Sequence, residues 1–447
     1  MVSTGDHLSI GAADLEVARL GDARVPSPVA RLIRGRASSP HYVHESDRVL
    51  LDDTVKMATA RGGPARDLPS LEPGGPRELI YFEPAGLRVG IVTCGGLCPG
   101  LNNVIRGLVL ELADNYGVRD ILGFRNGYQG LVGGGEPVPL TPAAVAGIHG
   151  HGGTFLGTSR GGQDSGEIVA TLARLRVSVL FVLGGDGTLR GAQEIADEAA
   201  ARGVVLSVIG IPKTIDNDIP YIDHSFGFQT AFARAADSIR AAHTEASSTP
   251  DGVGLVKLMG RHSGFIACYA ALANNDADCV LVPEVPFALD GPAGFLAFVR
   301  DRVQRHGHAV IVVAEGAGQD LTGPGAGAGR DASGNVVLTD IGGLLRARIL
   351  ADFAAAGASL SLRYVDPGYA IRSVPANAYD AVFCLRLAQA AVHAAMAGRT
   401  AMVVGRWHGR FVHLPITLAT ASRNQVDPDG DLWMSVLEAT GQPPRFG

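Results

Sequence analysis

Three short segments of the 447-residue chain gather the residue types that phosphate chemistry requires. The first, Cys94-Gly95-Gly96-Leu97-Cys98-Pro99-Gly100-Leu101-Asn102, leads into a helical pattern. Its glycines let backbone amides face an anion, and a helix N-terminus adds partial positive charge. A plain strand-to-helix turn has the same composition, and the segment is neither a G-x-G-x-x-G nor a Walker A sequence. In the second, Gly184-Gly185-Asp186-Gly187-Thr188, a carboxylate stands among glycines. That setting suits packing poorly but suits Mg²⁺ beside a polyphosphate, because Mg²⁺ takes one or two carboxylates together with phosphate oxygens and waters. The third, Pro212-Lys213-Thr214-Ile215-Asp216-Asn217-Asp218, sets two carboxylates at i and i+2 beside a Lys and a Thr. One can accept a proton from a substrate hydroxyl, as a general base does, and the other can support the metal.

Such residues need rigid supports, and the flanking sequence supplies them. Residues 87–92, 177–183 and 205–211 are short apolar runs that end at the three segments. Helical stretches follow the first two, at about 102–115 and up to about 202. Further apolar runs at 253–258, 278–282 and 309–314 also read as strands. Continuous apolar strands alternating with helices indicate βαβ units and parallel sheets covered on both faces. Ligands in such sheets bind beyond the carboxyl ends of the strands. Residues 1 to about 85 are different. They carry Pro, Ser and Arg with weak periodicity, including Ser38-Ser39-Pro40 and Pro73-Gly74-Gly75-Pro76. They read as an N-terminal extension with a little structure that ends in linker-like sequence. The glycine-rich stretch 316–329 reads as a flexible surface insertion.

Composition narrows the function classes. With 46% hydrophobic and 18% charged residues, the chain can build large cores and is not disordered. The 60 glycines fall in loops without a Gly-X-Y period, which excludes collagen. A net charge of −6 argues against nucleic acid or an anionic membrane as partner. The five cysteines form no CxxC pair, which points to reduced thiols rather than a zinc site. No apolar stretch approaches the ~20 residues of a membrane span, and no signal-peptide core is visible. A cytoplasmic location is the expectation.

Together the three segments resemble the 6-phosphofructokinase family, in which Gly-Gly-Leu-Cys-Pro-Gly-Leu-Asn-Asn, Gly-Gly-Asp-Gly-Thr and Pro-Lys-Thr-Ile-Asp-Asn-Asp occur in the same order. Residues 152–160 (Gly-Gly-Thr-Phe-Leu-Gly-Thr-Ser-Arg), Met259-Gly260-Arg261 and Pro283-Glu284-Val285-Pro286 are similar to that family as well. The resemblance runs from about residue 87 to about 440. It is strongest toward the long-chain, ATP-dependent plant and protist branch, through residues 256–261, 315–320 and 369–372. It implies an α/β fold of two doubly wound parallel-sheet domains with the active site in the cleft between them, plus the N-terminal extension. The implied division is an extension at 1–85, an ATP- and Mg²⁺-binding domain at 86–226 completed by segments after 370, a sugar-phosphate domain at 227–369, and a C-terminal return and tail at 370–447.

The implied reaction is transfer of a phosphoryl group from ATP to the 1-hydroxyl of fructose 6-phosphate, a glycolytic step with Mg²⁺ as cofactor. Asp216 matches the general base and Asp186 the magnesium ligand. Gly96, Arg160, Gly161, Gly185, Gly187 and Thr188 match the nucleotide site. Thr214, Ile215, Asp216, Met259, Gly260, Arg261, Glu315, Arg363, Tyr369 and Arg372 match the sugar-phosphate site. Arg160, Thr214 and Lys213 join Asp216 in the catalytic set. Guanidinium groups suit this work because their fork matches phosphate oxygens. A homotetramer or homodimer is also implied, since family sites borrow residues across subunits.

Some positions depart from the short-chain bacterial members, which have His at Tyr369, Gly at Lys213, and an interface-crossing Arg at Gly252. Lys257 is one candidate to replace that Arg. Pyrophosphate-dependent relatives carry Asp at Gly187 and share Lys213, so a pyrophosphate donor is the alternative reading, as is another acceptor sugar phosphate. NAD and lipid kinases share only Gly-Gly-Asp-Gly-Thr. A non-catalytic binding subunit would be expected to have lost Asp216 or Asp186.

Overall fold

The computed structural model describes residues 10–32, 41–55, 67–322, 329–330 and 336–447. Ser38-Ser39-Pro40 and residues 323–328 of the glycine-rich stretch lie outside them.

Two sheets form the framework. The larger has nine strands, numbered here along the chain: β1 (Val49–Leu50), β2 (Ser70–Pro73), β3 (Arg88–Thr93), β4 (Asp120–Phe124), β5 (Val138–Pro139), β6 (Val179–Gly184), β7 (Ser207–Pro212), β12 (Met402–Trp407) and β13 (Arg410–Pro415). Their spatial order is β1-β2-β13-β12-β7-β6-β3-β4-β5. The smaller sheet contains β8 (Gly252–Leu258), β9 (Cys279–Leu281), β10 (His308–Ala314) and β11 (Ser361–Val365), in the parallel order β9-β10-β8-β11. The inner strands of the larger sheet are parallel, while β13, β2, β1 and β5 run antiparallel to their neighbours.

The apolar runs have the expected cause. Every residue of β6 is buried. Val179, Phe181 and Leu183 point into one core layer, and Leu180 and Val182 into the layer on the opposite face. The smaller sheet repeats the pattern, with Val253 and Leu255 facing one layer and Val256 and Leu258 the other. Side chains alternate along a strand, so a strand covered on both faces must be apolar throughout.

After β3 the chain moves outward to β4, then returns to the other side of β3 to lay down β6 and β7. The carboxyl ends of β3 and β6 therefore flank a topological switch point, where the two connections leave in opposite directions and open a crevice. The helices α1 (Leu101–Leu110), α2 (Ser165–Arg174) and α3 (Asp186–Ala201) follow strands of this sheet. The helical pattern expected over 102–115 is α1 followed by a π-helical turn, Glu111–Tyr116.

Two features differ from the linear reading of the chain. Residues 70–73, within the stretch read as linker-like, form β2 and pair with β13. The extension is thereby built into the larger sheet. Its Glu72 is buried and joins Arg77, Arg399 and His413 in a sealed ion network. After β13 the C-terminal residues cross to the smaller sheet. There α10 (Asp431–Thr440) inserts Trp433 and Val436 into the core of that sheet, and Gln442 brackets the backbone of Val280. Two long helices, α4 (Phe228–Ser247) and α9 (Ala378–Met396), separated along the chain by α5 (Phe265–Asn274), α6 (Phe295–His306), α7 (Ile341–Ala355) and α8 (Gly368–Arg372), are joined by buried Asp380. Its carboxylate accepts hydrogen bonds from the amides of Gly227 and Thr230 at the N-terminus of α4. An anion there meets both orphan amides and the positive end of the helix dipole.

Candidate active site

All three chemistry-bearing segments open onto one cavity of about 670 Å³ at the carboxyl ends of β3, β6 and β7. Each is held by side-chain hydrogen bonds. Asn102 donates to the carbonyl of His151 and accepts from the amide of Phe155, and Thr158 donates to the carbonyl of Gly95. These bonds bring residues 152–160, and with them Arg160, against the first segment. Lys213 is buried and donates to the carbonyl of Gly96 at 2.7 Å, which ties the third segment to the first. Burial pulls the ammonium pKa of Lys213 downward.

The second segment is a helix start rather than a free loop. Gly185 is the N-cap of α3, and Asp186 is its first residue. A Cβ built on Gly187 meets no atom within 4 Å, so space lies open beside the first turn. The Oδ2 of Asp186 pairs with Arg190 at 2.8 Å and with Arg423 at 3.3 Å. Its Oδ1 is inaccessible and has no hydrogen-bond partner.

Asp216 is the other carboxylate lining the cavity that has an orphaned oxygen. Its Oδ2 accepts a long hydrogen bond from the amide of Arg261 at 3.4 Å, while its Oδ1 has no partner. Ser263 fixes the Asp216 carbonyl, and Thr214 accepts from the Asp216 amide. Burial, then the nearby charges of Asp218 and Glu315, push the Asp216 carboxyl up to about 7. That places it in the range where a general base is most effective near neutral pH. Asp218 is already engaged, accepting from Thr214 at 2.6 Å and pairing with Arg423 at 2.8 Å.

Met259, Arg261, Glu315 and Arg372 also line the cavity. Burial raises the Glu315 carboxyl against the opposing pull of Arg261, Lys257 and Arg372. The cavity thus brings together Gly96, Arg160, Gly161, Gly185, Asp186, Gly187, Thr188, Lys213, Thr214, Ile215, Asp216, Met259, Arg261, Glu315 and Arg372. Three residues expected from the sequence do not line it. Gly260 acts through its backbone: at φ +127°, with Ser263 O 2.5 Å from a built Cβ, it turns the chain between Met259 and Arg261. Arg363 is exposed and only 3.9 Å from Glu245, and Tyr369 is 83% exposed with Arg372 stacked over its ring. Lys257 is not a spare cation, because Asp340 and Asp366 each bind its ammonium at 2.9 Å. Gly252 leaves no room for a side chain, since a Cβ would lie 2.1 Å from the carbonyl oxygen of Ala246.

Arg190 and Arg423 also line the cavity. No sequence pattern marks Arg423, which lies more than two hundred residues from either carboxylate it touches. Arg190 follows Asp186 by four residues on one helix, and that spacing does carry the signal of an ion pair.

The phosphofructokinase family profile matches residues 88–395, the span that holds both sheets' inner strands apart from the β12–β13 hairpin. The chain belongs to the phosphofructokinase family. Among curated phosphofructokinases, an ATP-dependent 6-phosphofructokinase of Amycolatopsis methanolica is 60% identical over 97% of this chain and 96% of its own. Plant and protist relatives are similar too. ATP-dependent 6-phosphofructokinase 7 of Arabidopsis thaliana is 46% identical over 91% of this chain and 83% of its own. The ATP-dependent 6-phosphofructokinase of Trypanosoma brucei brucei is 44% identical over 97% and 88%. The fold is shared more widely. A pyrophosphate-dependent phosphofructokinase from Marinobacter aquaeolei superposes with TM-score 0.64 at 20% identity, covering 80% of this chain and 93% of its own.

Mg²⁺ fits the carboxylates of this phosphofructokinase site. Asp186 lines the cavity, and its orphaned Oδ1 has no protein donor to satisfy it. No group of three or more His, Cys, Asp or Glu able to hold a metal occurs among the described residues. Among those residues, no helix is long and apolar enough to cross a membrane.

Proposed function

We propose that this chain transfers the terminal phosphoryl group of ATP to the 1-hydroxyl of fructose 6-phosphate. The observation that carries the reading is Asp216, a half-sealed carboxylate with one unpartnered oxygen, set opposite Asp186 in the cavity that also holds Arg160. Asp216 takes the hydroxyl proton as the new bond to phosphorus forms and the bond from that phosphorus to the leaving oxygen of ADP breaks. Arg160, held beside the first segment, stabilises charge on the moving group, and phosphoryl transfer depends chiefly on such positioning and charge. Asp186, supported by Asp218, would hold Mg²⁺, which neutralises charge on the donor phosphates when bound. Met259, Arg261, Glu315 and Arg372 bind the sugar phosphate, with the guanidinium groups on its phosphate.

ATP as donor is supported by the open space at Gly187 and by the name of the 60%-identical relative. A homo-oligomer is supported by the exposed apolar side chains of Tyr379, Val382 and Leu385 along α9, beside exposed Tyr369. A donor-by-acceptor assay, with ATP, GTP and pyrophosphate against fructose 6-phosphate and related sugar phosphates, tests the reading. ATP with fructose 6-phosphate is expected to turn over fastest. Faster saturated turnover with pyrophosphate would replace the donor, and preference for another sugar would replace the acceptor.

A further inference from the structure

Arg423 stands on the segment that runs from β13 to α10, across both sheets. Its Nη1 lies 2.8 Å from Asp218 Oδ2 and its Nη2 lies 3.3 Å from Asp186 Oδ2. A single guanidinium therefore spans the two carboxylates assigned to the cation. The three residues that follow it are fixed. The Asn424 amide donates to the Asp218 carbonyl, Gln425 to the carbonyl of His262, and the Val426 amide to Glu284. The guanidinium itself is about one-third exposed at the edge of the cavity, 36% by side chain, so it can leave the carboxylates without unfolding anything.

We propose that Arg423 is a positioning residue that competes with the divalent cation for Asp186 and Asp218. It keeps the two carboxylates together and compensated, and a cation that takes them must displace it. The displaced guanidinium remains at the cavity edge, where phosphate oxygens are its natural partners. Cation and donor phosphates thus load together, because the group released by one is available to the other. This inference rests on the assignment of Asp186 to the cation.

The test is Mn²⁺ binding to the full-length protein without nucleotide, followed by the loss of the free-ion electron paramagnetic resonance signal. Removing a positive charge a few ångströms from the site should tighten Mn²⁺ binding, by about tenfold for a partly exposed pair. Both Arg423→Ala and the charge-only variant Arg423→Gln should show it. Gln425→Ala loosens the same segment without touching a carboxylate and should leave Mn²⁺ affinity as in the wild type. Unchanged or weaker binding in both Arg423 variants overturns the proposal, and so does equal tightening in Gln425→Ala. Asp186→Asn separates the two layers. If it leaves Mn²⁺ binding intact, the cation assignment itself fails, and this inference with it. If it removes the binding while the Arg423 variants show no gain, only the competition is refuted.

Discussion

At the residue scale, Asp216 carries opposing demands from stability and catalysis. Burial, Asp218 and Glu315 raise its carboxyl to about 7, above the unfolded value of about 4. The stability contributed by its protonated form is complete below about pH 4 and is lost as the pH rises through about 7. In the proposed role Asp216 works as a base when ionised, so kcat should climb across the upper part of the window in which stability falls. Asp216→Asn is nearly isosteric and never ionises. It is expected to lower kcat by about 10²- to 10⁴-fold, to leave the KM for fructose 6-phosphate nearly unchanged, and to raise Tm at pH 8. Steady-state kinetics and calorimetry on one preparation check all three. More than about a tenth of wild-type kcat would remove Asp216 from the role of base.

At the element scale, the first turn of α3 and the start of β8 show two uses of glycine. Gly187 borders open space, so a side chain there meets the ligand rather than the protein. Gly187→Asp should fold normally, because a carboxylate in the first turn of a helix is favourable. Its charge would lie where the donor's α-phosphate belongs. ATP use is expected to fall by about 10²-fold or more, while pyrophosphate activity is kept or gained, measured as kcat/KM for each donor. Equal loss with both donors would show that the carboxylate disturbs a part of the site common to both. Gly252 is the opposite case, since β8 lies so close to the end of α4 that a Cβ meets Ala246 O at 2.1 Å. Gly252→Ala should therefore destabilise the smaller sheet by about 1–3 kcal/mol, read from urea unfolding, with little change in KM for ATP.

At the scale of the whole molecule, the N-terminal extension is held by charge as much as by its strands. Burial alone would raise the Glu72 carboxyl, but His413, Arg399 and Arg77 together hold it well below the usual range. Its stabilising contribution is present above the unfolded value of about 4.3 and is lost as acid protonates it. Glu72→Ala leaves buried Arg77 and Arg399 with only the half-exposed Glu45 as counter-ion, and should cost about 3 kcal/mol in urea unfolding. A loss below about 1 kcal/mol would mean that solvent reaches those guanidinium groups. The exposed stripe on α9 belongs to the same scale. Val382 is 60% exposed between Tyr379 and Leu385, so Val382→Glu should dissociate the proposed homo-oligomer in light scattering. An unchanged mass would place the subunit contact elsewhere.

Local pattern was enough to read the strands carrying the three segments and the helix after Gly185, and to single out Asp186, Thr214 and Asp216 as candidates. Strand periodicity and glycine chemistry act over a few residues, so neighbours in the chain contain the information. The α/β class followed for the same reason, because strands covered on both faces must be apolar throughout. Other features depended on partners distant in the chain. Ser70–Pro73 has no strand signature of its own, and becomes a strand because β13 presents it an open edge. Lys257 looks like a free cation until the fold places Asp340 and Asp366 on either side of it. Arg423 reaches Asp186 and Asp218 only because the chain, after completing the larger sheet, crosses the mouth of the cavity on its way to the smaller one. Hydrogen bonding and Coulomb attraction act through space, and only the closed tertiary structure sets which charges stand within 3 to 4 Å of one another.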